Sequence, residues 1–181
     1  LLLLRDFGTW RLGDVLEHAI GYADEGFPLV QGVRTTIDRT ASLLATWHGS
    51  RDLYLPAPEV GKLFRNPALA ATYRRIVEES SGGSREEEIE RARSAFYEGF
   101  VAEEIDRFVA AEEGLLTVDD LAAWEATLEE PATLEYAGLT VCKTQPWGAG
   151  PVGLQQLALL RGYDLAELSE AELVHVVTEC A

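Results

Sequence analysis

The sequence predicts an α+β chain, mainly helical with one β-hairpin. Three observations carry this reading. Apolar residues recur at the i, i+3, i+4, i+7 spacing of one buried helical stripe through most of residues 1–125. The period then switches to alternation on both sides of Ala137-Gly138, within 126–144. A Gly/Pro-rich turn follows, and helical spacing returns over 149–181. With 181 residues, 47% hydrophobic and 25% charged, the chain is long and apolar enough for a single domain with a real core, which excludes disorder.

The elements follow in order. Leu12, Val15, Leu16, Ala19, Ile20 and Ala23 define a helix over 12–23 that Gly26 and Pro28 end. Val33, Ile37, Leu44 and Trp47 make a looser stripe over 31–47, and Pro56 and Pro58 break the chain into a loop. Asn66-Pro67 starts the next helix, since Asn caps free N–H groups and Pro is pre-set for the first helical position; Leu69, Tyr73, Ile76 and Val77 form its inner face. After Ser80-Ser81-Gly82-Gly83, Ser84 restarts a helix through 85–93 whose run of charges reads as a solvated face with Ile89 its only large apolar residue. Phe100, Val101, Ile105, Phe108 and Val109 mark another amphipathic helix, which Gly114 ends. Thr117 to Asp120 has capping-box spacing and opens a short helix carrying Leu121 and Trp124. Strands are expected over 127–136 and 139–144, with Pro131 at an edge or bulge. Helices follow over 152–160 and from the capping box Ser169–Glu172 onward.

Charge and composition narrow the function classes. Fifteen basic against 31 acidic residues give a net charge of −16, which repels phosphate backbones and anionic lipid, so neither nucleic acid nor membrane is expected as a partner. Leu1–Leu4 is far short of the ~20 residues that span a bilayer, with no basic region before it and no cleavage site after it, so it reads as neither anchor nor signal peptide. The lack of Met and a final helical segment without a cap are read as marks of an excerpt from a longer protein, which leaves the compartment undetermined. Cys142 and Cys180 form no disulfide framework or CxxC site and are expected to be small buried hydrophobes.

No catalytic, cofactor-binding or metal-ligating residue is assigned from the residues themselves. His18, His48 and His175 stand far apart on different expected helices, without a second ligand at helical spacing. Neither GxGxxG, GxxxxGK[ST] nor GxSxG occurs. Asp119-Asp120 belongs to a helix cap, and Glu129-Glu130 is expected in a strand, where neighbours point to opposite faces. Gly148-Ala149-Gly150 precedes a helix as an anion site would, but Pro151 removes one donor and a turn accounts for the glycines.

The order of short motifs nevertheless resembles the large-subunit part of the γ-glutamyltransferases (γ-glutamyltranspeptidases). The pieces are Phe7-Gly8-Thr9, then Asp14-Val15-Leu16 through Ala23, and Glu25-Gly26-Phe27-Pro28. Gly61 to Ala70 is similar to the family's entry into a long helix, and Ala95-Phe96-Tyr97-Glu98-Gly99 with Ala102 and Ile105 to its "FY.G..A..I" run. Gly114-Leu115-Leu116-Thr117 with Asp119 to Ala122 is similar to "GG.LT..DLA"; Tyr136-Ala137-Gly138 with Val141 fits the strand pair, and Leu154, Gln155 and Leu160 the next helix. Two departures stand out. Many members carry "PPP(S/T)SGG" where this chain has Gln145-Pro146-Trp147-Gly148-Ala149-Gly150-Pro151, and 85–93 looks like an acidic insertion.

The resemblance implies a slice of an N-terminal nucleophile hydrolase with a layered αββα plan. In that plan a precursor cleaves itself and exposes a threonine whose hydroxyl attacks a γ-glutamyl amide such as glutathione, its own amino group acting as base. Glycine N–H groups stabilise the oxyanion, and the acyl group passes to water, an amino acid or a peptide. The family's nucleophile stands in a Thr-Thr-His-aromatic run, whereas Thr35-Thr36 is followed by Ile37-Asp38 and lies in an expected helix, so it is rejected. The family's carboxylate-binding arginine lies upstream of Leu1, and its glycine pair and substrate-binding serines lie downstream of Ala181. The chain is thus expected to be an inactive structural portion without cofactor, partnered by the rest of its precursor. The other readings are a non-catalytic helical interaction module that self-associates, and a related acylase of different amide specificity.

Overall fold

The computed structural model describes residues 1–181 as two compact units, Leu1–Ala126 and Thr127–Ala181. The first holds helices α1 (Leu2–Phe7), α2 (Leu12–Glu25), α3 (Gln31–Leu44), α4 (His48–Tyr54), α5 (Pro67–Ser80), α6 (Arg85–Tyr97), α7 (Phe100–Ala111) and α8 (Val118–Ala123). It also holds the two-residue strands β1 (Phe27–Pro28) and β2 (Leu63–Phe64). The second unit holds β3 (Ala132–Tyr136), β4 (Leu139–Lys143), α9 (Gly150–Leu160) and α10 (Glu170–Glu179). No helix is long and apolar enough to cross a membrane.

Helices α2, α5, α6 and α7 build the main core. Leu12, Ile76 and Ala92 are buried together, with Leu4, Leu16, Tyr73, Phe100 and Val101 packed around them. Ala70, Ala92 and Ala102 are fully buried, and side chains that small let helices approach closely. Asn66 Oδ1 accepts from the Leu69 N–H at 3.1 Å and Pro67 opens α5, as the sequence predicts.

One member of the solvated face expected over 85–93 is corrected: Glu88 is turned inward. Ile89 is 2% exposed, Glu88 5%, and α6 packs along α5 as an integral part of the bundle. Its arginines bind the ends of other helices. Arg85 donates to the Leu4 and Arg5 carbonyls of α1 at 2.7 and 2.9 Å. Arg91 donates to the Ser80 and Ser81 carbonyls at 2.9 and 3.2 Å and to that of Gly82, closing the C-terminus of α5. Arg11, before α2, gives Glu88 Oε2 a 2.7 Å ion pair. Helix ends leave carbonyls without intrahelical partners, and these guanidinium groups supply donors. Glu86, Glu87, Glu90 and Arg91 form the exposed face, as the sequence predicts.

A second cluster of Leu29, Ile37 and Phe64, ringed by Leu44, Leu53, Tyr54, Leu55 and Ala57, accounts for three departures from the sequence reading. β1 and β2 pair antiparallel, Phe27 opposite Phe64, so the chain has two small sheets rather than one hairpin. Two-residue strands 36 positions apart carry no alternation; aromatic packing of Tyr54 and Phe27 on Phe64 (centroids 5.6 and 5.7 Å) brings them together. Gly26 has φ +95°, and a Cβ there would stand 2.9 Å from the Phe64 carbonyl, so only glycine permits this approach. α3 stops at Leu44 instead of Trp47 because the Thr46 hydroxyl and N–H both donate to the Leu43 carbonyl, at 2.7 and 3.1 Å. The extended Trp47 then precedes the unexpected α4.

In the second unit, β3 and β4 pair from Ala132↔Lys143 to Tyr136↔Leu139 around Ala137 (φ 50°) and Gly138 (φ 78°), the positive-φ pair of a tight hairpin turn. β3 starts at Ala132 rather than Thr127, just after Pro131, which has no N–H to give a ladder. Glu129 and Glu130 therefore precede the strand. Ala132, Leu134 and Tyr136 are half-buried on the face that alternates with exposed Thr133 and Glu135, and α9 packs against both strands. Leu154 and Cys180 are the unit's only buried large or sulfur-bearing side chains, while Cys142 is exposed, against expectation. At the start of α9, a Cβ on Gly150 would lie 1.9 Å from the Thr144 carbonyl oxygen, so the turn requires glycine.

Three outcomes follow from this packing. Arg11→Ala strands the buried Glu88 carboxylate and should cost about 3 kcal/mol in urea unfolding, whereas Arg5→Ala, whose pair with Asp6 is exposed, should change the midpoint little. Gly150→Ala should cost about 2 kcal/mol and selectively lower hydrogen-exchange protection in β3, β4 and α9. The capping boxes set an acid response. Glu87 is held below its ordinary 4.5 by the Ser84 N–H and then its hydroxyl, Glu172 by the Ser169 hydroxyl and then its N–H, and Asp120 below 3.8 by the Thr117 hydroxyl and then its N–H. The folded state binds these protons less readily, so the stabilisation is complete above the ordinary carboxylate values and is lost as pH falls through the lowered ones. Glu87→Gln and Glu172→Gln, which keep a side-chain acceptor at the cap, should flatten the fall of the helical melting temperature between neutral pH and pH 3.

Candidate functional site

The structure disperses most residues that chemistry would need together. His18, His48 and His175 are exposed on α2, α4 and α10, and no group of three or more His, Cys, Asp or Glu side chains converges as metal ligands. His18 borders an open depression with Trp10, Asp14 and Glu17, where Arg11 is already committed to Glu88. Thr36 donates its hydroxyl to the Gly32 carbonyl at 3.0 Å, and Thr35 accepts from Gln31, both on the exposed side of α3. Asp120 serves the α8 cap, accepting from the Thr117 N–H and hydroxyl at 2.9 and 2.7 Å. The Gly148 N–H donates to the Gln145 carbonyl at 3.0 Å, so that donor of the Gly148-Ala149-Gly150 run is spent within the turn.

One place does gather side chains around open space. β4 delivers Cys142 on one face of the hairpin, and the 144–149 turn then folds back before α9. Two side chains of the turn reach across to the segment before β3. Gln145 Nε2 donates to the Glu130 carbonyl at 2.7 Å, and Trp147 Nε1 donates to Glu129 Oε2 at 2.7 Å. Together they close the open end of the hairpin. Between them lies a groove of about 580 Å³ lined by Glu129, Glu130, Pro131, Cys142, Thr144 and Trp147, among others. The indole is pinned at its nitrogen yet the residue is 74% exposed.

This groove contains an aromatic face, a thiol and carboxylates, but Glu129 accepts from Trp147 and neither carboxylate is hydrogen-bonded to Cys142 or Thr144, so no nucleophile is paired with a base there. The sequence reading left Trp147 as a residue inside a turn. Its signal was the presence of a large aromatic side chain where turn geometry asks for none.

Comparison with known proteins places this architecture. The family model described as Gamma-glutamyltranspeptidase matches residues 2–181. The Glutathione hydrolase-like YwrD proenzyme of Bacillus subtilis (strain 168) is 30% identical over 98% of this chain and 32% of its own length. The Acylase ACY 1 proenzyme of Pseudomonas sp. (strain SE83) is 30% identical over 97% of this chain and 30% of its own. Among solved structures, LmbA2991HD is 47% identical with a TM-score of 0.86, covering 97% of this chain and 33% of that one. The Helicobacter pylori gamma-Glutamyltranspeptidase, 23% identical over 99% of this chain and 50% of that one, shares the fold at a TM-score of 0.84. The chain spans about a third of the length of the curated relatives it matches. By a match that runs from residue 2 to its last, the chain belongs to the gamma-glutamyltranspeptidase family.

Proposed function

We propose that this chain is the structural portion of an amide-cleaving proenzyme, supplying part of the helical layer and a hairpin of a layered αββα fold. The observation that carries the reading is the conjunction of two facts. The family match extends over residues 2–181, and yet the hydroxyl–carboxylate pairs of the chain, Thr117–Asp120 and Ser169–Glu172 among them, are spent on helix caps. The catalytic threonine then belongs to the remainder of the precursor, which is also the partner of this chain. There, a γ-glutamyl amide such as glutathione is attacked by the threonine hydroxyl, and the acyl group passes to water, an amino acid or a peptide. The 181-residue chain by itself is inactive and needs no cofactor. Large apolar side chains exposed in the second unit, Leu128, Leu139 and Val174 among them, favour self-association when it is isolated.

A second reading keeps the mechanism and changes the substrate. The acylase from Pseudomonas matches this chain at the same 30% identity as the glutathione hydrolase-like relative from Bacillus, and the 145–151 turn departs from the family's usual run. Release of chromophore from a γ-glutamyl anilide separates the possibilities. The full-length precursor should release it and the 181-residue chain should not. Release by the isolated chain would refute the scaffold reading. A precursor inert towards the anilide but active on another amide would establish the acylase reading instead.

A further inference from the structure

We propose that the groove beside Trp147 is a binding site for a small molecule carrying a neutral or cationic ring. As a binding site it goes beyond the function proposed above; as a substrate subsite it would rest on that reading.

The argument begins with an unusual combination at one residue. Trp147 is 74% exposed, outside the core of its own unit, yet its single polar atom is fixed on Glu129 at 2.7 Å across 18 positions of sequence. The backbone beneath it is equally constrained. Gly150 passes so close to the Thr144 carbonyl that no side chain fits, and Gln145 is fixed on the Glu130 carbonyl. Holding a side chain in one orientation costs conformational entropy, which an idle surface residue avoids. An indole already held in place spares a ligand that ordering cost on binding. The groove it borders, about 580 Å³, falls within the range of small-molecule sites, roughly 300–1,000 Å³.

Charge selects the class of ligand. Glu129 and Glu130 line the groove, on a chain of net charge −16, and disfavour an anion. The one cationic residue bordering it, Lys143, is opposite Ala132 in register and therefore on the α9 face of the sheet, whereas Cys142 is on the other. A Cβ on Gly153 of α9 would lie 3.4 Å from Lys143 Cε, which places that side chain along the helix. An indole face attracts a cationic ring electrostatically and a neutral one by offset stacking.

The test reads binding without turnover. The side-chain N–H signals of Trp10, Trp47, Trp124 and Trp147 are followed by nitrogen-15 NMR of the 181-residue chain during titration with benzamide, benzamidine, benzoate and glutathione. Benzamide and benzamidine should shift the Trp147 signal saturably and leave the other three in place. Benzoate should bind at least about tenfold more weakly, and glutathione, anionic and without a ring, should leave the signal unmoved. For the variants, which lack the Trp147 signal, binding is read from the ligand by saturation-transfer NMR: Trp147→Ala should abolish it, while Trp147→Phe, which keeps a ring but loses the bond to Glu129, should retain it in weakened form. Absence of a saturable shift with either amide or amidine in the unaltered chain would overturn the proposal, as would benzoate binding equally well or Trp147→Ala binding as before. The anilide assay does not depend on this result, so failure of the site and failure of the enzymatic reading are told apart.

Discussion

The buried carboxylate of Glu88 and the arginines around it constrain the helical unit more than any single apolar contact. Arg11 meets Glu88 from the segment before α2, while Arg85 and Arg91 of the same α6 reach the carbonyls that end α1 and α5. Three helices, α1, α2 and α5, are thus registered on α6. The geometry matters energetically because its parts differ in exposure. Glu88 is almost sealed from water, and removing the Arg11 partner leaves a buried carboxylate without its ion pair. Ion pairs such as Arg51–Asp52 and Arg75–Glu79 keep both members in solvent and contribute little. The run of charges along α6 therefore combines two functions that composition cannot separate: one side solubilises the helix, and the other caps its neighbours.

The two units differ in how they spend their apolar residues. In Leu1–Ala126 the stripes of α2, α5, α6 and α7 meet, and buried alanines let them meet closely. In Thr127–Ala181 the hairpin has one half-buried face against α9, and only Leu154 and Cys180 are buried apolar side chains besides glycine. Turn chemistry does more of the organising there: Ala137-Gly138 sets the register, Gly150 permits the close return of the chain, and Gln145 and Trp147 tie off the hairpin's open end. Organisation by local turns leaves apolar surface such as Val174 and Leu139 outside the unit's own core.

This division also explains what could be read from residues alone. Caps were readable because their partners lie three positions apart: Asn66 with Leu69, Ser84 with Glu87, Thr117 with Asp120, Ser169 with Glu172. The hairpin was readable because alternation and a positive-φ dipeptide coincide at one place. The β1–β2 pair was not, since two residues carry no period and their partners lie 37 and 35 positions apart. α4 escaped because the stripe over 31–47 continues through the break that Thr46 makes with its hydroxyl. Cys142 was expected inside from residue type, but its place in the pleat decides: it is opposite Thr133, on the face that α9 leaves open. For the candidate site, the sequence showed the unusual tryptophan but not Glu129, whose part depends on a contact 18 residues away.

The same reasoning bears on where function can reside in such a chain. A nucleophile and its base must be fixed within hydrogen-bond reach of one another, and that demands elements whose positions are over-determined. The rigid part of this molecule is the α6 clamp, and its polar atoms are consumed in holding helix ends; Thr35 and Thr36, likewise, spend their hydroxyls within α3. What remains both fixed and accessible is the 144–150 turn, where the hydrogen-bonding groups of Gln145 and Trp147 satisfy the neighbouring strand segment and leave an aromatic face open. A surface of that kind recognises shape and charge without breaking bonds.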